Sequence, residues 1–241
     1  DEAVNVSITP TFSWTAATTG GVPDGFKIYC GNPIDYDNPI ATVSRTTTSY
    51  KIPGTNALEY ETLYYWTVSA YKAGFEDARA AERSFTTMED PTITTEQLPY
   101  TNGFEETWIG TPPAPGLGWI VVNANNDSYT WRQSPTYYID PHTGDHIARG
   151  MGNTDDWLIT PPIQASVDLR IKWWDAVESA TYPNTYSVIV STTDNSISSF
   201  TNNQGTFTCN NTDWLEHTLN LDEFTGNTIY VAFHQTASGS T

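Results

Sequence analysis

The sequence predicts an all-β chain built from two successive sandwiches. Three observations carry the prediction. Short runs of alternating apolar and polar residues recur about every eight to twelve positions, clusters of Gly, Pro, Asn and Asp separate them, and no stretch shows the spacing of an amphipathic helix. At 241 residues the chain has room for one large β domain or two smaller ones, and 9 Trp, 14 Tyr and 9 Phe supply bulk for a core.

In chain order, residues 11–14 and 25–29 read as strands divided by the turn-forming Gly20-Gly21-Val22-Pro23-Asp24. Residues 50–53 form a short strand, and 63–71, where aromatic and β-branched side chains alternate, form a long one. The strand at 81–87 closes a first unit spanning 1–89. A polar, β-branched stretch, 90–97, interrupted by Pro91, reads as a linker. The second unit, 98–241, carries strands at 118–122, 156–159, 169–174, 186–191, 214–221 and 228–234, joined by long polar loops. That pattern suits a larger sandwich of jelly-roll type, whose function is expected on its loops.

Within the second unit, Asp155-Asp156-Trp157-Leu158-Ile159-Thr160-Pro161-Pro162 is the most informative stretch. Carboxylates at a strand entrance suit a hard cation, Trp157 and Ile159 are expected to point into the core, and the prolines end the ladder. Adjacent strand residues face opposite sides, so one of Trp173 and Trp174 must leave the central core. Aromatics outside the expected strands, Trp108, Trp131, Tyr137, Tyr138 and Tyr182, are candidate stacking platforms for sugar rings, although covering the core would use them equally well.

Charge narrows the partners. A net charge of −18, from 28 acidic and 10 basic residues, repels phosphate backbones, so no nucleic acid partner is expected. No apolar run approaches the ~18 residues of a membrane span, so no membrane insertion is expected within this chain. The beginning, Asp1-Glu2-Ala3-Val4, has neither a basic head nor an apolar signal core, and any export signal is expected to have been removed. Cys30 and Cys209 fall in different units and are expected to be unpaired, buried thiols.

Catalytic signatures are missing. The sequence has no Gly-x-Ser-x-Gly elbow and no glycine-rich phosphate loop, and neither cysteine sits in a nucleophile motif. His142 and His146 are four apart, but Pro141 and Gly144 make this a loop or strand entrance, with no Glu or Cys companion for zinc. No carboxylate pair stands out for glycoside hydrolysis. The chain is not expected to be an enzyme.

Trp14, the strand with Phe26, Ile28 and Tyr29, the block from Leu58 to Val68, and Ser84-Phe85-Thr86-Thr87 together resemble a fibronectin type III domain of the bacterial surface-protein variety over residues 3–88. That resemblance implies an immunoglobulin-like sandwich acting as a spacer or docking module without chemistry of its own. The second unit resembles the cleaved-adhesin family, the jelly-roll modules of gingipain-type haemagglutinin and adhesin regions, related to MAM domains. Its matching residues are Gly103-Phe104-Glu105, Trp119, the loop Asn123-Ala124-Asn125-Asn126-Asp127, Trp131, Pro141-His142-Thr143-Gly144, the stretch from Asp155 to Ile163, Tyr182-Pro183-Asn184, and Ile229-Tyr230-Val231-Ala232-Phe233-His234.

This second resemblance implies a Ca2+ site formed by Glu105, Asn123, Asn125, Asp127 and Asp156. Two loop positions that are commonly Asp in the family are Asn here, which keeps the oxygen donors but removes charge, so weaker binding or shifted coordination is expected. The family usually continues with a further Asp-bearing strand, so the last strand is expected to be missing. Together the resemblances imply a non-catalytic adhesion module, extracellular or at the cell surface and associated with the outer membrane. It would be a monomer or part of a larger multidomain chain, and its calcium-braced loops would bind a host protein, a glycan or a surface component. The alternative is a carbohydrate-binding accessory region of a larger secreted glycanase or peptidase.

Overall fold

The computed structural model describes residues 2–17, 19–75, 77–135, 139–150 and 155–236. It is all-β, with isolated 3₁₀ turns, and separates into two compact units, Asp1–Asp90 and Pro91–Thr241.

The first unit contains β1 (Ala3–Val6), β2 (Thr11–Ser13), β3 (Gly25–Gly31), β4 (Ala41–Ser44), β5 (Ser49–Lys51), β6 (Leu63–Tyr71), β7 (Ala78–Arg79) and β8 (Arg83–Thr87). One sheet runs in the order β1-β8-β6-β3-β4 with β7 added to β6, and β2 pairs with β5. Alternation determines what meets between the layers. Phe12 of β2 and Ile52 just after β5 pack against Phe26 and Ile28 of β3, Val68 of β6 and Phe85 of β8. Phe12 also stacks on Trp66 at 4.6 Å between ring centroids. Each aromatic so placed removes a large apolar area from water, the principal source of stability in a small sandwich.

In the second unit, β9 (Ile109–Gly110) and β10 (Pro113–Ala114) form a small hairpin. They are followed by β11 (Ile120–Asn123), β12 (Arg132–Pro135), β13 (His146–Arg149), β14 (Asp156–Ile159), β15 (Ile163–Gln164), β16 (Arg170–Asp175), β17 (Asn184–Ser191), β18 (Asn202–Cys209), β19 (Leu215–Asn220) and β20 (Thr228–Gln235). The main sheet runs β11-β14-β20-β17-β18, with β15 also on β20, while β12–β13 and β16–β19 form separate antiparallel pairs. The stretch read as a linker contributes to this unit. Ile93 is buried and bridges Ile163, its N–H donating to Pro162 O at 2.8 Å while its carbonyl accepts from Gln164 N at 2.9 Å.

The central core lies between the main sheet and the β16–β19 pair. Val188, Val190, Ile229 and Val231, all 0% exposed, face Leu169, Leu221, Ile171 and Leu219. Trp157 and Ile159 are buried, as the sequence leads one to expect, but in a second cluster on the opposite face of the sheet with Ile189, Phe200 and Ala232, whereas Leu158 joins Trp108, Ala114 and Val121. β14 is buried on both faces, so periodicity alone does not say which face meets the central core.

Candidate functional site

At one end of the main sheet the inner face changes character. Asp156, Gln235 and Tyr186 lie side by side in register across β14, β20 and β17, continuing the face that carries Leu158, Phe233 and Val188. Here the sandwich does not close. A cavity of about 510 Å³ lies between these strands, β12–β13 and the end of β16. Its volume is in the range of small-ligand sites, roughly 300–1,000 Å³.

One wall is a fixed polar network. Tyr186 donates its hydroxyl to Asp175 Oδ2 at 2.6 Å and accepts from Trp173 Nε1 at 2.8 Å. Asn211 Nδ2 donates to Asp175 Oδ1 at 3.3 Å and to the Asp175 carbonyl at 2.9 Å. His217 Nε2 lies 3.1 Å from Asp175 Oδ2, and its ring stacks on Trp173 at 5.2 Å. Burial, reinforced by the Asp175 carboxylate, pushes the Tyr186 hydroxyl well above the ordinary tyrosine range, so it stays a proton donor. Cys209 also lines the cavity, and burial raises its thiol to about 12, which leaves it inert as a nucleophile at neutral pH.

Gln235 stands apart from this network. It is 1% exposed, and neither its side-chain oxygen nor its nitrogen has a hydrogen-bond partner. A Cβ built on Gly150 would come 2.1 Å from Gln235 Oε1, so the amide occupies space that a side chain at 150 would take. At the mouth, Trp174 is 38% and Tyr182 79% exposed. His142 stacks on Trp174 at 4.4 Å, and Trp214, which donates to Asp140 O at 2.9 Å, lies beside it. Trp131 lines the cavity from the other side and donates to Asp156 O at 3.3 Å. As strand alternation requires, Trp173 faces inward and Trp174 outward.

The model of the Cleaved Adhesin Domain family matches residues 103–240, more than half of the chain. The chain belongs to that family. Two crystal structures of cleaved-adhesin modules from Porphyromonas gingivalis W83 are similar to it. The K1 domain of Lys-gingipain is 20% identical, with a TM-score of 0.45, covering 56% of this chain and 87% of that one. The K3 domain is 22% identical, with a TM-score of 0.42, covering 51% and 82%. Comparison with curated proteins gives no match.

The residues that the cleaved-adhesin resemblance assigned to calcium fall into distinct settings. Asn123, Asn125 and Asp127 form one turn. Asn123 Nδ2 donates to Asp127 O at 2.9 Å and Tyr129 O at 3.1 Å, Asn125 Nδ2 donates to Asp127 Oδ2 at 3.0 Å, and Asp127 Oδ1 accepts from Tyr129 N at 2.7 Å. Asp156 is the Cα partner of Asn123 in the β11–β14 ladder, but it is wholly buried. Glu105 serves a second turn, accepting from the backbone of Asp145 at 3.0 Å and His146 at 3.3 Å, with His146 Nδ1 at 3.2 Å. These donors, the Asp145 amide foremost, hold its carboxyl below the usual glutamate range.

Gly144, at φ +69°, makes that second turn possible, since a Cβ there would lie 2.3 Å from Glu105 Oε1. Among the described residues, no three His, Cys, Asp or Glu side chains converge into a metal-binding group. The feature that fits a hard cation is Asn123 Oδ1, a buried oxygen with no hydrogen-bond partner in an oxygen-only donor set.

Of the candidate stacking aromatics, Trp131 and Tyr182 line the cavity, Trp108 is buried at 7% exposure, and Tyr137 and Tyr138 lie outside the described residues. The sequence reading missed Gln235, Asp175 and His217. Each stands within a strand, and only the pairing of distant segments brings Gln235 and Asp175 to one cavity, with His217 behind Asp175.

Proposed function

We propose that the chain is a non-catalytic attachment module of an extracellular or cell-surface protein, in which the second unit contacts an extracellular protein or glycan. The observation that carries this reading is the aromatic-rimmed cavity between the layers. Tyr186, Trp173, Asn211 and Asp175 are tied together by hydrogen bonds, the Gln235 amide is left unpartnered, and the Cys209 thiol is held protonated, an arrangement suited to holding a ligand. The first unit acts as a fibronectin type III spacer, a reading supported by its β1-β8-β6-β3-β4 sheet facing the β2–β5 pair.

Calcium belongs to the same proposal. The ion would take Asn123 Oδ1 with oxygens of Asn125 and Asp127. Glu105 would join only by giving up the Asp145 and His146 amides, and Asp156 only by turning from the interior. Such a site would brace the loop without activating water.

Calorimetric titration of the chelated protein with Ca2+, followed by glycan and matrix-protein arrays with and without the ion, tests both parts. A saturable weak heat and at least one reproducible array signal are expected. Flat calorimetry removes the calcium part, and an empty array removes the attachment reading.

A further inference from the structure

We propose that the cavity binds a pyranose ring of a neutral glycan, anchored on the side-chain amide of Gln235. The inference rests on the attachment reading and adds the place and chemistry of the contact.

The amide is the first argument. A buried polar group without a partner costs about 1–3 kcal/mol, so a fold keeps one where something else satisfies it. A primary amide presents an acceptor beside a donor, a pair that complements two vicinal hydroxyls, one donating to Oε1 and the other accepting from Nε2.

The rim is the second. A pyranose exposes one face of C–H bonds, which is apolar and slightly positive, and aromatic faces carry the complementary negative quadrupole. Tyr182, 79% exposed, offers such surface at the mouth, and Trp131 lines the cavity within.

Charge is the third. Among the described residues, the two acidic side chains that line the cavity each have partners: Asp175 has Tyr186, Asn211 and His217, and Glu178 has Arg149 at 4.0 Å. An uncompensated carboxylate under aromatic rings would have favoured a cationic ligand. The balanced cavity favours a neutral ligand with many hydroxyls.

Binding to galactose, mannose, N-acetylglucosamine and lactose is measured by calorimetry and by ¹⁵N side-chain amide spectra of the full chain, with lysine methyl ester and choline as cationic controls. At least one saccharide is expected to bind saturably and to shift the Gln235 amide pair. Gln235→Leu should weaken it about tenfold or more, and Tyr182→Ala, at an exposed position that leaves folding intact, about fivefold. The inference is overturned if no saccharide saturates, if both variants bind as the parent does, or if only the cations bind. Matrix-protein array signals that persist in both variants while saccharides fail would remove the sugar cavity and leave the attachment reading standing. Loss of every array signal in the parent would remove both.

Discussion

The two ends of one sheet face show how this unit separates stability from recognition. On β17 and β20, Val188, Val190, Ile229 and Val231 are wholly buried and close the sandwich, yet a few residues along the same strands Tyr186 and Gln235 line an open cavity. Backbone pairing continues through both ends, from Ser191↔Tyr230 to Tyr186↔Gln235. The difference lies in what covers the shared face: the β16–β19 pair closes over the aliphatic end, whereas at the other end the cavity lies between these strands and β12–β13. There Tyr186 and Gln235 add hydrogen-bonding capacity that the aliphatic end lacks.

Substitutions at the two ends test that separation. The largest effect is expected from Ile229→Ala at the closed end, which removes a fully buried side chain and should cost about 2–5 kcal/mol in the denaturation transition of the second unit, with saccharide affinity unchanged where the unit remains folded. Tyr186→Phe should cost about 1–3 kcal/mol, because Asp175 Oδ2 loses a donor and Trp173 Nε1 its acceptor in a buried setting. Gln235→Leu carries the opposite sign. Replacing an amide that has no partner with an apolar side chain of similar size should leave stability unchanged or raise it by about 1 kcal/mol in the same transition. A loss of stability there would assign Gln235 to the scaffold and erase the contrast between the ends.

The smallest effect belongs to Glu105. Its folded carboxyl sits below its ordinary value of 4.5, so its contribution is present above that pH and is lost as pH falls through the depressed value. The backbone amide shift of Asp145 should therefore carry an acidic titration component, below pH 4.5, that is missing from the same titration of Glu105→Gln.

Strands with apolar alternation were legible in the sequence because one chemical signal repeats along them: Leu63–Tyr71 and Asp156–Ile159 form where they were expected. Asn202–Cys209 was not anticipated. It is a mostly polar strand that pairs with β17 and sends Phe207 onto the central core, an apolar anchor that composition does not single out. Likewise, Pro135 and the mixed polarity of His146–Arg149 hid the β12–β13 pair.

The candidate site was less legible, for a different reason. Trp131 and Tyr182 stand out locally as aromatics in loops. Gln235 becomes notable only once pairing with Asp156 and Tyr186 has brought it to a cavity, and an unfilled hydrogen-bonding group has no signature in a linear sequence. Glu105 accepts from the backbone amides that follow Gly144, a partnership between distant segments that a linear sequence does not display.

The second, smaller cluster on the outer side of the main sheet limits how this unit can assemble. With Trp157, Ile159, Ile189 and Ala232 already roofed by Phe200, this part of the sheet has no bare flat side on which a neighbouring molecule could be laid. Lateral growth into layered stacks is closed off at that cluster.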